Sequence, residues 1–213
     1  MTCIGVCNRD YDTMIESCPC MSNCPSGCPC PDYKCPCKPL YMSQCLLENG
    51  AKGMITFVEQ DCQGDISVQI DASFTCTDIE NCAADNHGFH VHMSAPSRQP
   101  DGTLDCGSAG GHFATDSQQH GRPTDANRFD YIFVLSCSTE CFSHFGDLGN
   151  VLVSADVNTT VTIIDSMISL NPASESYIGN RGMVLHALPD DFTGASGNAG
   201  ARVACCAIVD VSL

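Results

Sequence analysis

The chain has 213 residues, a formal net charge of −16, 18 cysteines and no tryptophan. So acidic a chain argues against nucleic acids and anionic membranes as partners, because both require clustered Lys and Arg. It contains no run of about 18 apolar residues, so the sequence also predicts no membrane insertion.

The first 43 residues are rich in cysteine and proline. They hold nine cysteines and six prolines, and Cys-Pro-Cys recurs at 18–20, 28–30 and 35–37. Helix and strand are not expected there, because proline removes backbone donors and apolar residues are few. We interpret the segment as a disulfide knot for an extracellular matrix or protein partner, or as a thiolate cluster for copper(I) or zinc.

Residues 44–213 form a second predicted domain, which is long enough to bury a core. Its strand candidates, from alternating or continuous apolar residues, are 53–59, 65–71, 151–156, 160–168, 182–187 and 202–209. Taken alone, this pattern supports an antiparallel sandwich or barrel.

Six of the seven histidines and one aspartate follow one another as a candidate metal-binding set. Strand alternation sends His90 and His92 to the same face, whereas Gly-rich chain around His112 and His120 predicts loops. Imidazole is a common ligand of copper and zinc, and a carboxylate suits zinc. The sequence therefore predicts a two-metal site from His90, His92, His112, His120, His144, Asp147 and His186. His87 is instead expected to make a structural hydrogen bond.

These motifs make the chain resemble the copper/zinc superoxide dismutase family from about residue 45 to 209. The matching segments are GFHVH at 88–92, CGSAGGHF at 106–113, HGRP at 120–123, GDLGN at 146–150, VLH at 184–186 with DD at 190–191, and GNAGAR at 197–202. Six collinear segments are far more specific than a lone His-x-His.

The resemblance implies an all-β fold, an eight-stranded antiparallel Greek-key β-barrel of immunoglobulin-like sandwich type with long metal-binding loops. It implies an enzyme, a superoxide dismutase that converts its substrate superoxide to oxygen and hydrogen peroxide. The copper ligands would be His90, His92, His112 and His186, and the zinc ligands would be His112, His120, His144 and Asp147.

Further roles follow from the same resemblance. Asp190 would hydrogen-bond ligands of both metals, although it could be a solvated loop acid. Arg202 would attract superoxide, although it could be a strand-end salt-bridge residue, and Ser196 would line the channel. His112 would also carry a proton during catalysis. Cys106 and Cys205 would form the family's disulfide within one subunit.

Three segments depart from the family in length. The chain is longer between His120 and His144, where it carries Cys137 and Cys141, and longer from 92 to 106, where the family often forms dimers. It is shorter after His186. We therefore expect a more open copper site with weaker long-range guidance, and the resemblance leaves a homodimer open.

The cysteines predict an extracellular, secreted protein, because secreted domains use cysteines as disulfides. Nine lie in 1–43 and nine in the remainder, which requires a bridge between the two regions or an unpaired thiol in each. Proximity favours Cys76–Cys82 and Cys137–Cys141. Asn158-Thr159-Thr160 is a glycosylation acceptor pattern that fits secretion.

Two other functions compete with catalysis. A copper chaperone can pair a dismutase-like domain with Cys-x-Cys segments, but it does not need the complete ligand set. A metal-binding structural or adhesion protein would hold metal only for stability, and the shortened segment after His186 fits this alternative.

Overall fold

The computed structural model describes residues 37–62, 64–78, 80–82, 85–115, 118–123 and 143–213. Within these ranges, Lys38–Leu213 form one compact all-β unit. Its strands are β1 Lys38–Asn49, β2 Ala51–Cys62, β3 Asp65–Cys76, β4 Asp85–His92, β5 Ser97–Arg98, β6 Leu104–Asp105, β7 Asp147–Val153, β8 Asn158–Asp165, β9 Gly182–His186, β10 Arg202–Ala207 and β11 Val209–Val211. A 3₁₀ helix, Cys106–Ala109, follows β6. No helix in these ranges is both long and apolar enough to cross a membrane.

Eight strands form one antiparallel sheet in the order β7-β4-β9-β10-β1-β2-β3-β8, and β11 pairs with β1. The sheet curls until its end strands, β7 and β8, lie beside one another. Strands β1 to β3 are consecutive neighbours, whereas β4 crosses over to lie between β7 and β9. The predicted antiparallel Greek-key barrel is confirmed.

Alternate side chains of the strands fill the barrel. Ile55 and Phe57 of β2 and Ile70 and Phe74 of β3 are fully buried, as the alternation in the sequence predicts. Phe89 of β4 stacks on Phe74 with a centroid separation of 6.3 Å. This packing fixes β4, the strand that carries two of the candidate ligands.

Strand β1 differs from the sequence prediction. It begins at Lys38, so the predicted boundary between residues 43 and 44 lies inside a strand. The β1–β2 register shifts between Pro39 and Tyr41. Such an irregularity accommodates Pro39, which has no backbone N–H to donate to the neighbouring strand. Because a proline argues against a strand in sequence analysis, β1 was not predicted.

Disulfides hold several of these elements together. The Cys76–Cys82 and Cys106–Cys205 bridges, which the sequence analysis expected, are present, and Cys45–Cys206 is an additional bridge. Cys37 and Cys62 are also disulfide-bonded, whereas the expected Cys137–Cys141 pair lies outside the described residues. This pairing is consistent with an oxidising compartment.

Candidate metal centre

The first group of candidate ligands lies at the ends of barrel strands. β4 carries His90 and His92, the adjacent strand β9 ends at His186, and His112 is bridged to His92 by backbone pairing. All four side chains are buried, and one ligand atom from each lies within 4.8 Å of the others. The sheet register therefore brings these four histidines together.

One nitrogen of each strand-borne ring has an acceptor in the protein. His92 Nδ1 donates to Gly110 O at 2.9 Å, His186 Nδ1 to Gly200 O at 3.4 Å, and His90 Nε2 to Asp190 Oδ2 at 2.9 Å. In a neutral imidazole, the other nitrogen then carries a lone pair. These contacts leave His90 Nδ1, His92 Nε2 and His186 Nε2 facing one another. His92 Nε2 and His186 Nε2 lie 3.2 Å apart, a separation that two lone pairs tolerate only with a proton or a metal ion between them.

Ring nitrogens without a hydrogen-bond partner indicate whether a metal ion fits the first group. Within the described ranges, His90 Nδ1 and His112 Nε2 are buried without a hydrogen-bond partner. A buried polar atom without a partner is costly. A metal ion coordinated by these nitrogens would remove this cost, so the residues fit a metal bound by imidazole nitrogens.

The pKa values in this group favour neutral rings. Burial lowers the pKa of His92 to about 2 and that of His186 to about 3, because the cation loses solvation. Burial also lowers the pKa of His112 to about 4, although the hydrogen bond to Asp147 opposes this shift. The three rings are therefore neutral at neutral pH, which is the form that binds metal.

The second group surrounds the carboxylate of Asp147, the first residue of β7. Asp147 Oδ1 accepts from His112 Nδ1 at 2.8 Å, and Oδ2 accepts from the backbone N–H of His144 at 2.8 Å. His120 Nδ1 and His144 Nδ1 lie 3.0 and 3.3 Å from its oxygens without hydrogen-bond alignment. One ligand atom from each of the four residues lies within 4.8 Å of the others.

Charge distinguishes this second group from the first. Burial disfavours the Asp147 carboxylate, but contacts with His112, His120 and His144 outweigh it and hold the pKa far below its ordinary value. Burial likewise disfavours a charged His120, but Asp147 and Asp190 raise its pKa to about 9. The second group is therefore built around a buried carboxylate, whose negative charge, with that of Asp190, favours the cationic form of His120.

Asp190 connects the two groups. Its Oδ2 accepts from His90 Nε2, and its Oδ1 accepts from His120 Nε2 at 2.8 Å. Asn150 holds its backbone, since Asn150 Oδ1 accepts from the Asp190 N–H at 2.7 Å and Asn150 Nδ2 donates to the Asp190 carbonyl at 2.8 Å. Asp190 is buried, so it is not a solvated loop acid, which was the alternative interpretation of this residue.

Arg202 lies beside the first group. It opens β10 opposite His186, and its guanidinium donates to the carbonyl oxygens of Cys106 at 2.6 Å, Gly107 at 3.2 Å and Gly110. The Gly110 carbonyl thus accepts from both Arg202 and His92. The Cys106–Cys205 disulfide ties the same loop to β10.

The remaining predicted residues have different surroundings. Ser196 is exposed in the segment between β9 and β10. His87 Nδ1 donates to the carbonyl of His186 at 2.9 Å, which confirms the structural hydrogen bond expected for it.

Sequence reasoning missed two residues that shape the centre. Asn150 lies in the GDLGN motif, but nothing in that motif indicates that its amide holds the backbone of Asp190, 40 residues away. Gly197 has φ +64°, and a Cβ there would lie 1.7 Å from Asp190 Oδ1. Only glycine allows this close approach, and nothing in the linear spacing shows the contact.

Comparison with known families agrees with this geometry. The family model of copper/zinc superoxide dismutase (SODC) matches residues 51–208. The match covers well over half of the chain and includes every residue of both groups.

Proposed function

Because the chain belongs to the copper/zinc superoxide dismutase family, we propose that it is an oxidoreductase that converts superoxide to oxygen and hydrogen peroxide. The observation that carries this proposal is the pair of adjoining groups that share His112. We assign copper to His90, His92, His112 and His186, and zinc to His112, His120, His144 and Asp147.

The donor atoms support this division. Four imidazole nitrogens suit copper, whereas three imidazoles and one carboxylate suit zinc. When bound, copper would supply one-electron oxidation and reduction, and zinc would supply only fixed charge and structure. Asp190 would keep the rings of His90 and His120 oriented toward their respective groups.

His112 would carry a proton in this reaction. Its Nδ1 contacts Asp147, while its Nε2 is buried without a hydrogen-bond partner among the described residues. Burial favours the neutral ring, so a proton held at Nε2 is readily given up. The balanced reaction consumes two protons: one superoxide loses an electron and leaves as oxygen, while a second gains that electron and two protons and leaves as hydrogen peroxide. His112 would deliver one of these protons and water the other.

Arg202 would guide the anionic substrate. Superoxide must approach a chain of net charge −16, so a local positive charge is required near the first group. Hydrogen bonds from the Arg202 guanidinium to loop carbonyls hold it there, and burial lowers its pKa without removing the charge of an arginine. Such local fields raise association rates by roughly 10–10³-fold. Ser196, exposed near this segment, would line the approach.

Metal content and superoxide dismutation, measured together on the native protein and on His90→Ala, test the proposal. We expect copper-dependent activity in the native protein and its loss in the variant, because His90 would be a copper ligand and the partner of Asp190. Copper and zinc bound in stoichiometric amounts with negligible dismutation would contradict catalysis and favour a structural role.

We also propose that the protein acts outside the cell. The disulfides of the barrel fit an oxidising compartment. Asn158, the first residue of the glycosylation pattern, is exposed at the start of β8, where a glycan would meet solvent. Recovery from the culture medium of cells that express the chain tests this proposal, and retention inside the cell contradicts it.

The Cys-rich segment is proposed to be a separate appendage that binds an extracellular partner. We place its boundary at Cys37, because the compact unit begins at Lys38. Removal of the segment should abolish partner binding and leave dismutation unchanged; loss of dismutation on removal would contradict a separate appendage.

A further inference from the structure

Phe192 adopts a backbone conformation that bulky side chains rarely take. Its φ is +62°, in the left-handed region. The turn brings the Phe192 N–H within 2.7 Å of Asp190 Oδ1, the same oxygen that accepts from His120 Nε2. Strained conformations persist only where the surroundings hold them, so this turn requires a contact that stabilises it.

Arg122 supplies such a contact. Its guanidinium carbon lies 4.4 Å from the centroid of the Phe192 ring, which is cation–π geometry. Arg122 follows His120 by two residues, whereas Phe192 follows Asp190 by two residues. The cation–π contact therefore joins the same two segments that the His120–Asp190 hydrogen bond joins.

The two sides of Asp190 are held in different ways. Asn150 fixes its backbone through two hydrogen bonds. Both of these hydrogen bonds are to the Asp190 backbone and not to its carboxylate. The orientation of the carboxylate therefore depends on its own partners, which are His90, His120 and the Phe192 N–H. Of these, only the Phe192 N–H belongs to neither group of candidate ligands.

We propose that Arg122 and Phe192 are positioning residues. Their cation–π contact holds the left-handed turn, and the turn keeps the Asp190 carboxylate aligned between His90 and His120. Loss of the contact lets the turn relax, so His120 Nε2 loses its aligned acceptor and His120 Nδ1 turns away from the second group. The consequence for zinc rests on the proposed function, whereas the alignment of the Asp190 carboxylate rests on the hydrogen bonds and the cation–π contact alone.

Arg122→Gln tests the cation, with Arg98→Gln as the matched control. Arg98 is also an exposed arginine, but its partners, Glu48 and the Gly102 carbonyl, belong to neither group. We expect Arg122→Gln to weaken binding of Co²⁺, the spectroscopic substitute for zinc, about two- to fivefold. The ¹⁵N chemical shift of His120 Nε2 in the metal-free protein should change as well. Arg98→Gln should change neither, and Arg122→Lys should recover part of both.

Two substitutions of Phe192 separate the ring from the backbone. Phe192→Leu keeps the strained φ but lacks the ring, whereas glycine adopts positive φ without cost. We expect Phe192→Leu to move the His120 Nε2 signal further from its native position than Phe192→Gly does.

Two results would overturn the inference. The first is an Arg122→Gln protein that matches Arg98→Gln in both readouts. The second is a lower unfolding temperature with an unchanged His120 signal, which would make the contact merely structural. A native protein that binds no Co²⁺ at the second group would instead contradict the proposed zinc assignment, and the signal of the metal-free protein would still decide the inference.

Discussion

The two halves of the metal centre are built in different ways. In the first group, His90, His92 and His186 lie on β4 and β9, whose backbones are fixed by ladder hydrogen bonds. In the second group, His120 and His144 lie outside the strands, and only Asp147 belongs to one. The strand ladder thus holds three of the four ligands of the first group.

In the second group, the charge of the Asp147 carboxylate orders the ligands, as the hydrogen bonds between strands do in the first group. The Asp147 carboxylate accepts from His112 and from two backbone N–H groups, those of Gly121 and His144. One buried charge therefore orders three separate pieces of chain. Because the two groups are held in these different ways, the first group should survive damage to the second.

Asp147→Asn should have the largest effect. It removes the buried charge that His120 and the backbone donors face, and breaking such a buried pair costs about 3–5 kcal/mol of the free energy of unfolding. Zinc binding should be lost, whereas copper should still bind to the strand-borne histidines. Chemical denaturation and metal analysis of the variant measure the two effects.

Asp65→Asn is the control for this variant, because Asp65 is an exposed acid at the start of β3 whose side chain makes no hydrogen bond or ion pair with the described residues. It should change neither unfolding nor metal content. Parallel loss of copper and zinc in Asp147→Asn would show that the two halves are a single cooperative unit.

Gly197→Ala should have the next largest effect. The added Cβ would lie 1.7 Å from Asp190 Oδ1 and 2.6 Å from His120 Nε2, so Asp190 must move. Loss of a residue that orients metal ligands typically costs about 10–100-fold in metal affinity. Competition titrations with a zinc chelator would measure the loss.

Gly194→Ala separates this clash from backbone strain. Gly194 has φ +62°, close to the +64° of Gly197, but no atom lies within 4 Å of an added Cβ. Both variants carry the same strain, so only Gly197→Ala should lose zinc affinity. Equal losses in the two variants would assign the effect to the backbone and remove Asp190 from the explanation.

The sequence predicts positions within one strand better than it predicts contacts between distant parts of the chain. Strand alternation placed His90 and His92 on one face, and both enter the first group. The Cys45–Cys206 bridge was not predictable in this way, because it depends on the pairing of β1 with β10, which are remote in sequence. Local spacing shows which side chains share a strand face, but it does not show which distant strands become neighbours.

The close contacts around Asp190 were hidden for a related reason. Phe192 and Gly197 contact Asp190 from within its own loop, Asn150 contacts it from β7, and each contact depends on the exact path of that loop. A motif match identifies a residue as part of the centre. Differences of a few tenths of an ångström in interatomic distance decide which contacts hold that residue in place. These contacts form only when the loops pack on the barrel.

The pH dependence of metal binding should differ between the two groups. The change in metal affinity for each pH unit is the smallest of the predicted effects. His120, with its pKa raised to about 9, is protonated at neutral pH and must release that proton to bind zinc. Each pH unit below that pKa should therefore weaken zinc binding about tenfold. In the first group, the pKa values of His92 and His186, about 2 and 3, leave the rings neutral. Copper affinity should thus stay nearly constant between about pH 6 and 8, and parallel isothermal titrations across that range would contradict the contrast if both slopes were equal.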